Sequence, residues 1–103
     1  MKLVAVDDEP LVLDVLVKAI RKAEAGCEVQ GFVRSRDALA AVQDGLRPDA
    51  AFLDIEMAGM NGLELAMRIR AISNHTKIIF VTGYPQYALE AYSIHARGYL
   101  LKP

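Results

Sequence analysis

Apolar residues in this chain fall into two patterns: short unbroken runs, and stretches where they recur every three or four positions. Leu3-Val4-Ala5-Val6, Ala50-Ala51-Phe52-Leu53, Ile78-Ile79-Phe80-Val81 and Gly98-Tyr99-Leu100-Leu101 are runs. Runs this short, without polar alternation, read as strands buried on both faces. Val29 to Val33, interrupted by Gly31, is a weaker strand. Between the runs, Val12, Leu16, Ala19, Ile20 and Ala23 recur at helical spacing. So do Leu39, Val42 and Leu46, then Leu65, Ala66 and Ile69 within a helix over 62–72, then Ala88, Leu89, Ala91 and Tyr92. Pro10 and Pro85 suit first helical positions, an Asp before Pro10 and Ser35 suit caps, and Gly26 suits a helix end.

Strands and helices therefore alternate, beginning with a strand. That order predicts an α/β fold, a parallel five-stranded sheet with helices on both faces. Right-handed crossovers leave few topologies. The flavodoxin-like, doubly wound strand order 2-1-3-4-5 is the expectation.

Composition narrows the function. A chain of 103 residues makes one domain. At 53% hydrophobic and net charge -1 it is no disordered tail, and it carries no basic footprint for nucleic acid. Its apolar runs fall well short of the ~20 residues of a membrane span. Met1-Lys2-Leu3 leads straight into a strand, so no signal peptide is expected. A single cysteine, Cys27, allows no internal disulfide and reads as a small core residue. A cytoplasmic protein is expected.

The chemistry gathers at the strand exits. Ala51-Phe52-Leu53 runs into Asp54, the first strand ends at Asp7-Asp8, the fourth at Thr82 and the fifth at Lys102. In the order 2-1-3-4-5 these exits are neighbours, roughly 4.8 Å apart per step. Ligands of open parallel sheets bind at that end. Each residue alone has a plainer reading as a cap, a β-branched strand residue, a solvated strand end or a turn. Their conjunction is what points to a site. Three converging carboxylates would repel one another, and Mg²⁺, a hard ion with oxygen ligands, resolves the conflict. Lys102 and Thr82 suit a phosphate. The chemistry that fits is phosphoryl transfer to Asp54, giving an aspartyl phosphate. His75 and His95 have no ligand partners at metal spacing and read as surface residues. Tyr84 and Tyr87 fit an interaction face or ordinary packing equally well.

The whole chain resembles a response-regulator receiver domain of two-component signalling. Asp7-Asp8-Glu9-Pro10, Leu53-Asp54-Ile55, Met57 through Gly62, Val81-Thr82-Gly83 and Tyr99-Leu100-Leu101-Lys102-Pro103 carry the resemblance. It implies that Asp54 is the phosphoacceptor, with Mg²⁺ bound by Asp8 directly, by Asp7 through water, and by the Glu56 backbone carbonyl. Thr82 would be the switch hydroxyl, Tyr99 the rotating aromatic and Lys102 the phosphate counter-ion, with a cis Lys102–Pro103 bond. The implied partners are a histidine kinase or histidine phosphotransfer protein. Residues 84–92 are similar to receivers that precede a LytTR-type DNA-binding output domain. Ala58 stands where the family often has Pro, Gly83 where Ala is usual, and Glu56 adds an acidic side chain. Receivers normally continue into a fifth helix that shares a sheet face with the first. Residues 1–103 are therefore expected to be an incomplete receiver with that face exposed, and prone to form a homodimer. The competing expectation is an Asp-nucleophile phosphohydrolase of the haloacid-dehalogenase kind, although that family places its nucleophile after the first strand.

Overall fold

A computed structural model describes residues 1–102. Five strands alternate with helices: β1 (Lys2–Val6), α1 (Pro10–Ala23), β2 (Glu28–Phe32), α2 (Ser35–Gln43), β3 (Ala50–Leu53), α3 (Gly62–Ile72) and β4 (Lys77–Thr82). A 3-10 turn (Pro85–Tyr87), α4 (Ala88–Ser93) and β5 (Gly98–Leu101) follow. All strand pairs are parallel, in the order β2-β1-β3-β4-β5. The expected cis bond at Lys102–Pro103 lies outside the described residues.

The strand pleat divides the core in two. Val4, Val6, Ala51, Leu53, Ile78 and Phe80 point to one face, where Ala38, Leu39, Val42, Leu65, Ala66, Ile69 and Ala91 cover them. These come from α2, α3 and α4. Leu3, Ala5 and Ala50 point the other way and meet Ile20, with Leu13, Leu16 and Val17, all from α1. Cys27 packs at the edge of that second cluster and is half-buried, less enclosed than a core residue.

Several local expectations shift. Ser35 is the first residue of α2, not its cap. Arg34 occupies the cap position and makes no side-chain cap bond. The Ser35 hydroxyl instead donates to the Met60 carbonyl at 2.6 Å, so its partner lies in another loop. Glu9, and neither aspartate, takes the α1 cap position, also without a side-chain bond. Pro85 opens a 3-10 turn, and α4 itself begins at Ala88. Of its expected apolar residues only Ala91 is buried, while Leu89 and Tyr92 stand in solvent.

The α1 stripe is also displaced. Leu13, Leu16, Val17 and Ile20 meet the sheet, whereas Ala19 and Ala23 are exposed. Ala19 and Ala23 instead border a groove of about 330 Å³ between α1 and Phe52, Val81 and Leu100. There is no fifth helix among the described residues, and Leu100 remains 55% exposed.

Candidate phosphoacceptor site

The sheet's own hydrogen bonding assembles the site. β1, β3 and β5 are each followed by one further residue that still bonds to a neighbouring strand. The Asp7 amide donates to the Phe32 carbonyl at 3.2 Å, the Asp54 amide to Val6 at 3.0 Å, and the Lys102 amide to Thr82 at 2.8 Å. Backbone groups at a sheet end need such partners, and satisfying them fixes Asp7, Asp54 and Lys102 at one end of the sheet.

Lys102 is the hub. Its ammonium lies 2.7 Å from Asp7 Oδ2 and 3.0 Å from Asp54 Oδ2. The remaining carboxylate oxygens are partly engaged. Asp7 Oδ1 accepts from the Glu9 amide at 3.0 Å, Asp54 Oδ1 from the Ile55 amide at 2.8 Å, and Asp8 Oδ2 from the Ala58 amide at 3.2 Å. Asp7 and Asp54 are buried, and Asp8 is exposed beyond them at the strand exit.

Two opposing forces set the charge states. Burial pushes the Asp54 carboxyl above its ordinary value of 3.8. The Lys102 ammonium opposes this, the Asp7 charge adds to it, the Ile55 amide opposes it, and the upward push prevails. Burial alone would lower the Lys102 ammonium below 10.5, but its bonds to Asp7 and Asp54 outweigh that and raise it. A buried carboxyl group is thus held beside a charged lysine.

The donor set suits a hard cation. Oxygen atoms of Asp7, Asp8 and Asp54 all lie within 4.8 Å of one another. The Glu56 carbonyl accepts no backbone hydrogen bond among the described residues, which leaves it free as a further oxygen ligand. Three carboxylates against one lysine leave a negative excess that a divalent ion would neutralise.

Thr82 and Tyr99 occupy the flank. Thr82 is fully buried, and its hydroxyl accepts from the Tyr84 amide at 3.3 Å; it makes no bond to Asp54 among the described residues. Tyr99 is half-buried, with its ring 6.3 Å from that of Phe80, and its hydroxyl donates to the Tyr84 carbonyl. His75 and His95 are exposed and take no part.

Two supporting contacts had no clear signal in the sequence. Ser35 ties α2 to the loop after β3, and Gly62 lets α3 begin directly beneath Asp54. A Cβ at Gly62 would fall 1.9 Å from the Asp54 carbonyl oxygen. In the sequence Gly62 reads as the end of the Met57 through Gly62 motif and the start of a helix, with no sign of this contact. A third contact joins Tyr87 to Glu56, whose hydroxyl and carboxylate are hydrogen-bonded.

Residues 3–103 match the family described as "Response regulator receiver domain". The chain is 33% identical over 103 residues to the sensory transduction protein LytT of Bacillus subtilis, covering all of this chain and 42% of that protein. It is equally similar, at 33% over 103 residues and with the same coverage, to the positive alginate biosynthesis regulatory protein of Pseudomonas aeruginosa. The chain thus spans less than half the length of these curated relatives. Among solved structures, the response regulator TrrA of Thermotoga maritima, in complex with Mg²⁺-BeF, superposes with TM-score 0.84 and 33% identity. That match covers 99% of this chain and 86% of that one. The chemotaxis protein CheY4 of Vibrio cholerae superposes with TM-score 0.85 and 31% identity, at the same coverages. None of these findings supports a dehalogenase-like hydrolase, and Asp54 follows the third strand, not the first.

Proposed function

We propose that this chain, which belongs to the response regulator receiver family, is a signalling switch set by phosphorylation of Asp54. The observation that carries the reading is the Lys102 bridge between Asp54 and Asp7 at the mouth of an acidic cluster. The chain is a signalling domain and not a turnover enzyme, but its own residues do the phosphoryl chemistry.

The donor is a phosphohistidine on a histidine kinase or histidine phosphotransfer protein. An Asp54 carboxylate oxygen attacks phosphorus as the phosphorus–nitrogen bond breaks. The imidazole nitrogen keeps the bonding pair and takes a proton. Lys102 faces the charge on the phosphoryl oxygens. Asp8, Asp54 and the Glu56 carbonyl would hold a Mg²⁺ ion, with Asp7 assisting through water. When bound, that ion neutralises phosphoryl charge.

Thr82 turns its hydroxyl toward the new phosphoryl group, and Tyr99 holds the space beside it. The consequence is a population shift at the surface of α4 and β5. An output domain beyond residue 103, DNA-binding as in LytTR-associated regulators, would read that surface. The lengths of LytT and the alginate regulator support this. The domain itself binds no nucleic acid. A cytoplasmic location follows from a kinase donor, and no helix among the described residues is long and apolar enough to cross a membrane. Homodimer formation would bury the exposed groove on the α1 face.

Incubation with phosphoramidate and Mg²⁺ tests the site. Mass spectrometry should show one phosphoryl group, on Asp54. Asp54→Asn should reduce labelling at least a hundredfold, and full labelling of that variant would reject the assignment.

A further inference from the structure

The loop from Glu56 to Asn61 joins the phosphoacceptor to α3. It has few internal restraints: Ala58 offers no ring to fix the backbone, and Gly59 sits at φ 76°. Among the described residues three hydrogen bonds from outside hold it, and the Ser35 hydroxyl also lies 3.8 Å from Met57 Sδ. The Ala58 amide donates to Asp8, and the Met60 carbonyl accepts from the buried Ser35 hydroxyl. The third tie is the Tyr87 hydroxyl, which donates to the Glu56 carboxylate. The first two anchor the loop toward β1 and α2. Among the described residues only the third reaches across the site to the segment that follows β4.

That segment carries the switch contacts. Tyr84 gives its amide to Thr82 and its carbonyl to Tyr99, and its ring meets that of Tyr87 edge-on at 6.2 Å. The Tyr87 ring is half-buried against the core under α2, α3 and α4, so its hydroxyl is presented from a seated ring. Little rotamer freedom is then lost in making the bond. A hydrogen bond to a carboxylate is also among the stronger kind.

We propose that Tyr87 is a positioning residue for the phosphoacceptor site: by holding the Glu56 side chain, it clasps the loop after β3 to the turn before α4. The clasp coexists with the inward seat of Tyr99 and the Thr82–Tyr84 bond. It holds the loop whose backbone runs directly on from Asp54. The inference rests on Asp54 being the phosphoacceptor and assigns a role to a side chain that does not touch it.

The test is the rate of Asp54 labelling by phosphoramidate and Mg²⁺ in the parent, Tyr87→Phe, Glu56→Ala, Glu56→Gln and the Tyr87→Phe/Glu56→Ala double variant. Tyr87→Phe and Glu56→Ala should each slow labelling about threefold to tenfold, the range of one lost hydrogen bond. The loss should appear in the rate at saturating donor rather than in the donor concentration giving half that rate. The double variant should be no slower than the slower single one. Glu56→Gln keeps an acceptor and should restore most of the rate. Tyr92→Phe, at an exposed ring on α4, should match the parent, and melting temperatures should agree within a few degrees. Parental rates in Tyr87→Phe, or losses that multiply in the double variant, would overturn the clasp while leaving Asp54 as the acceptor. A parent that takes no label would overturn both.

Discussion

At the scale of single residues, the site is governed by how few charges are balanced. Asp54 is buried and pushed above 3.8 in spite of Lys102. A carboxyl that ionises less readily when folded binds extra protons in the folded state just above its unfolded value. Stability then falls as pH rises through the window between 3.8 and the raised value. Asp54→Asn removes that cost and keeps an oxygen for Lys102. In the presence of a chelator, the variant is expected to unfold at a higher temperature than the parent at pH 7. The gap should close as pH falls below the window. Denaturant melts across pH measure it, and a gap that does not vary with pH would contradict the reading. Asp7 and Asp8 divide differently. Asp7 already serves Lys102 and Glu9, whereas Asp8 is exposed with one oxygen uncommitted. Asp8→Ala should therefore weaken Mg²⁺ binding more than Asp7→Ala. Calorimetric titration of the two variants decides this.

At the scale of elements, the start of α3 is tightly constrained. Asn61 caps the helix by accepting from the Glu64 amide at 3.0 Å. Gly62 follows, its amide bonded to the Ile55 carbonyl at 2.9 Å and its Cα against the Asp54 backbone. Gly62→Ala would drive a methyl group into the Asp54 carbonyl oxygen. The expected cost is about 3 kcal/mol or more, the range of severe backbone clashes, with a loss of labelling at Asp54. Denaturant melts test it directly. Cooperative unfolding at the parental midpoint would show that α3 can move away without consequence. The opposite end of the sheet is closed by a different device. Thr76 donates to the Pro48 carbonyl and pairs with the Ser73 hydroxyl, both at 2.7 Å, so the two buried hydroxyls satisfy each other and the backbone.

At the scale of the whole molecule, the two sheet faces are unequal. Among the described residues three helices cover one face and α1 alone serves the other, leaving the groove bordered by Phe52, Val81 and Leu100. Contiguous apolar surface of this kind is unusual on a soluble monomer. Residues 1–103 are expected to bind an apolar-surface dye and to self-associate at high concentration. Leu100→Glu should reduce both by placing a charge in the groove. Light scattering from a stable monomer with no dye binding would refute the expectation.

Alternating strand runs and helical stripes were enough to derive the parallel sheet, its order and the gathering of Asp7, Asp8, Asp54, Thr82 and Lys102 at one end. That is because the burial period of each element and the handedness of crossovers are local properties. What depends on contacts between distant segments was not legible. The stripe on α1 pointed to Ala19 and Ala23, but which flank of a helix meets the sheet depends on how many neighbours share that face. Ser35 looked like a cap because its local chemistry suits one, yet a carbonyl from another loop competes for the hydroxyl and wins. Tyr87 gave no decision, since an aromatic residue fits packing and recognition alike. Its bond to Glu56 exists only because the loops after β3 and β4 emerge side by side. The sequence by itself determined the architecture and the residues of the acidic site. Tertiary structure decided which polar groups they meet, because a hydrogen bond needs a partner brought within reach by the fold.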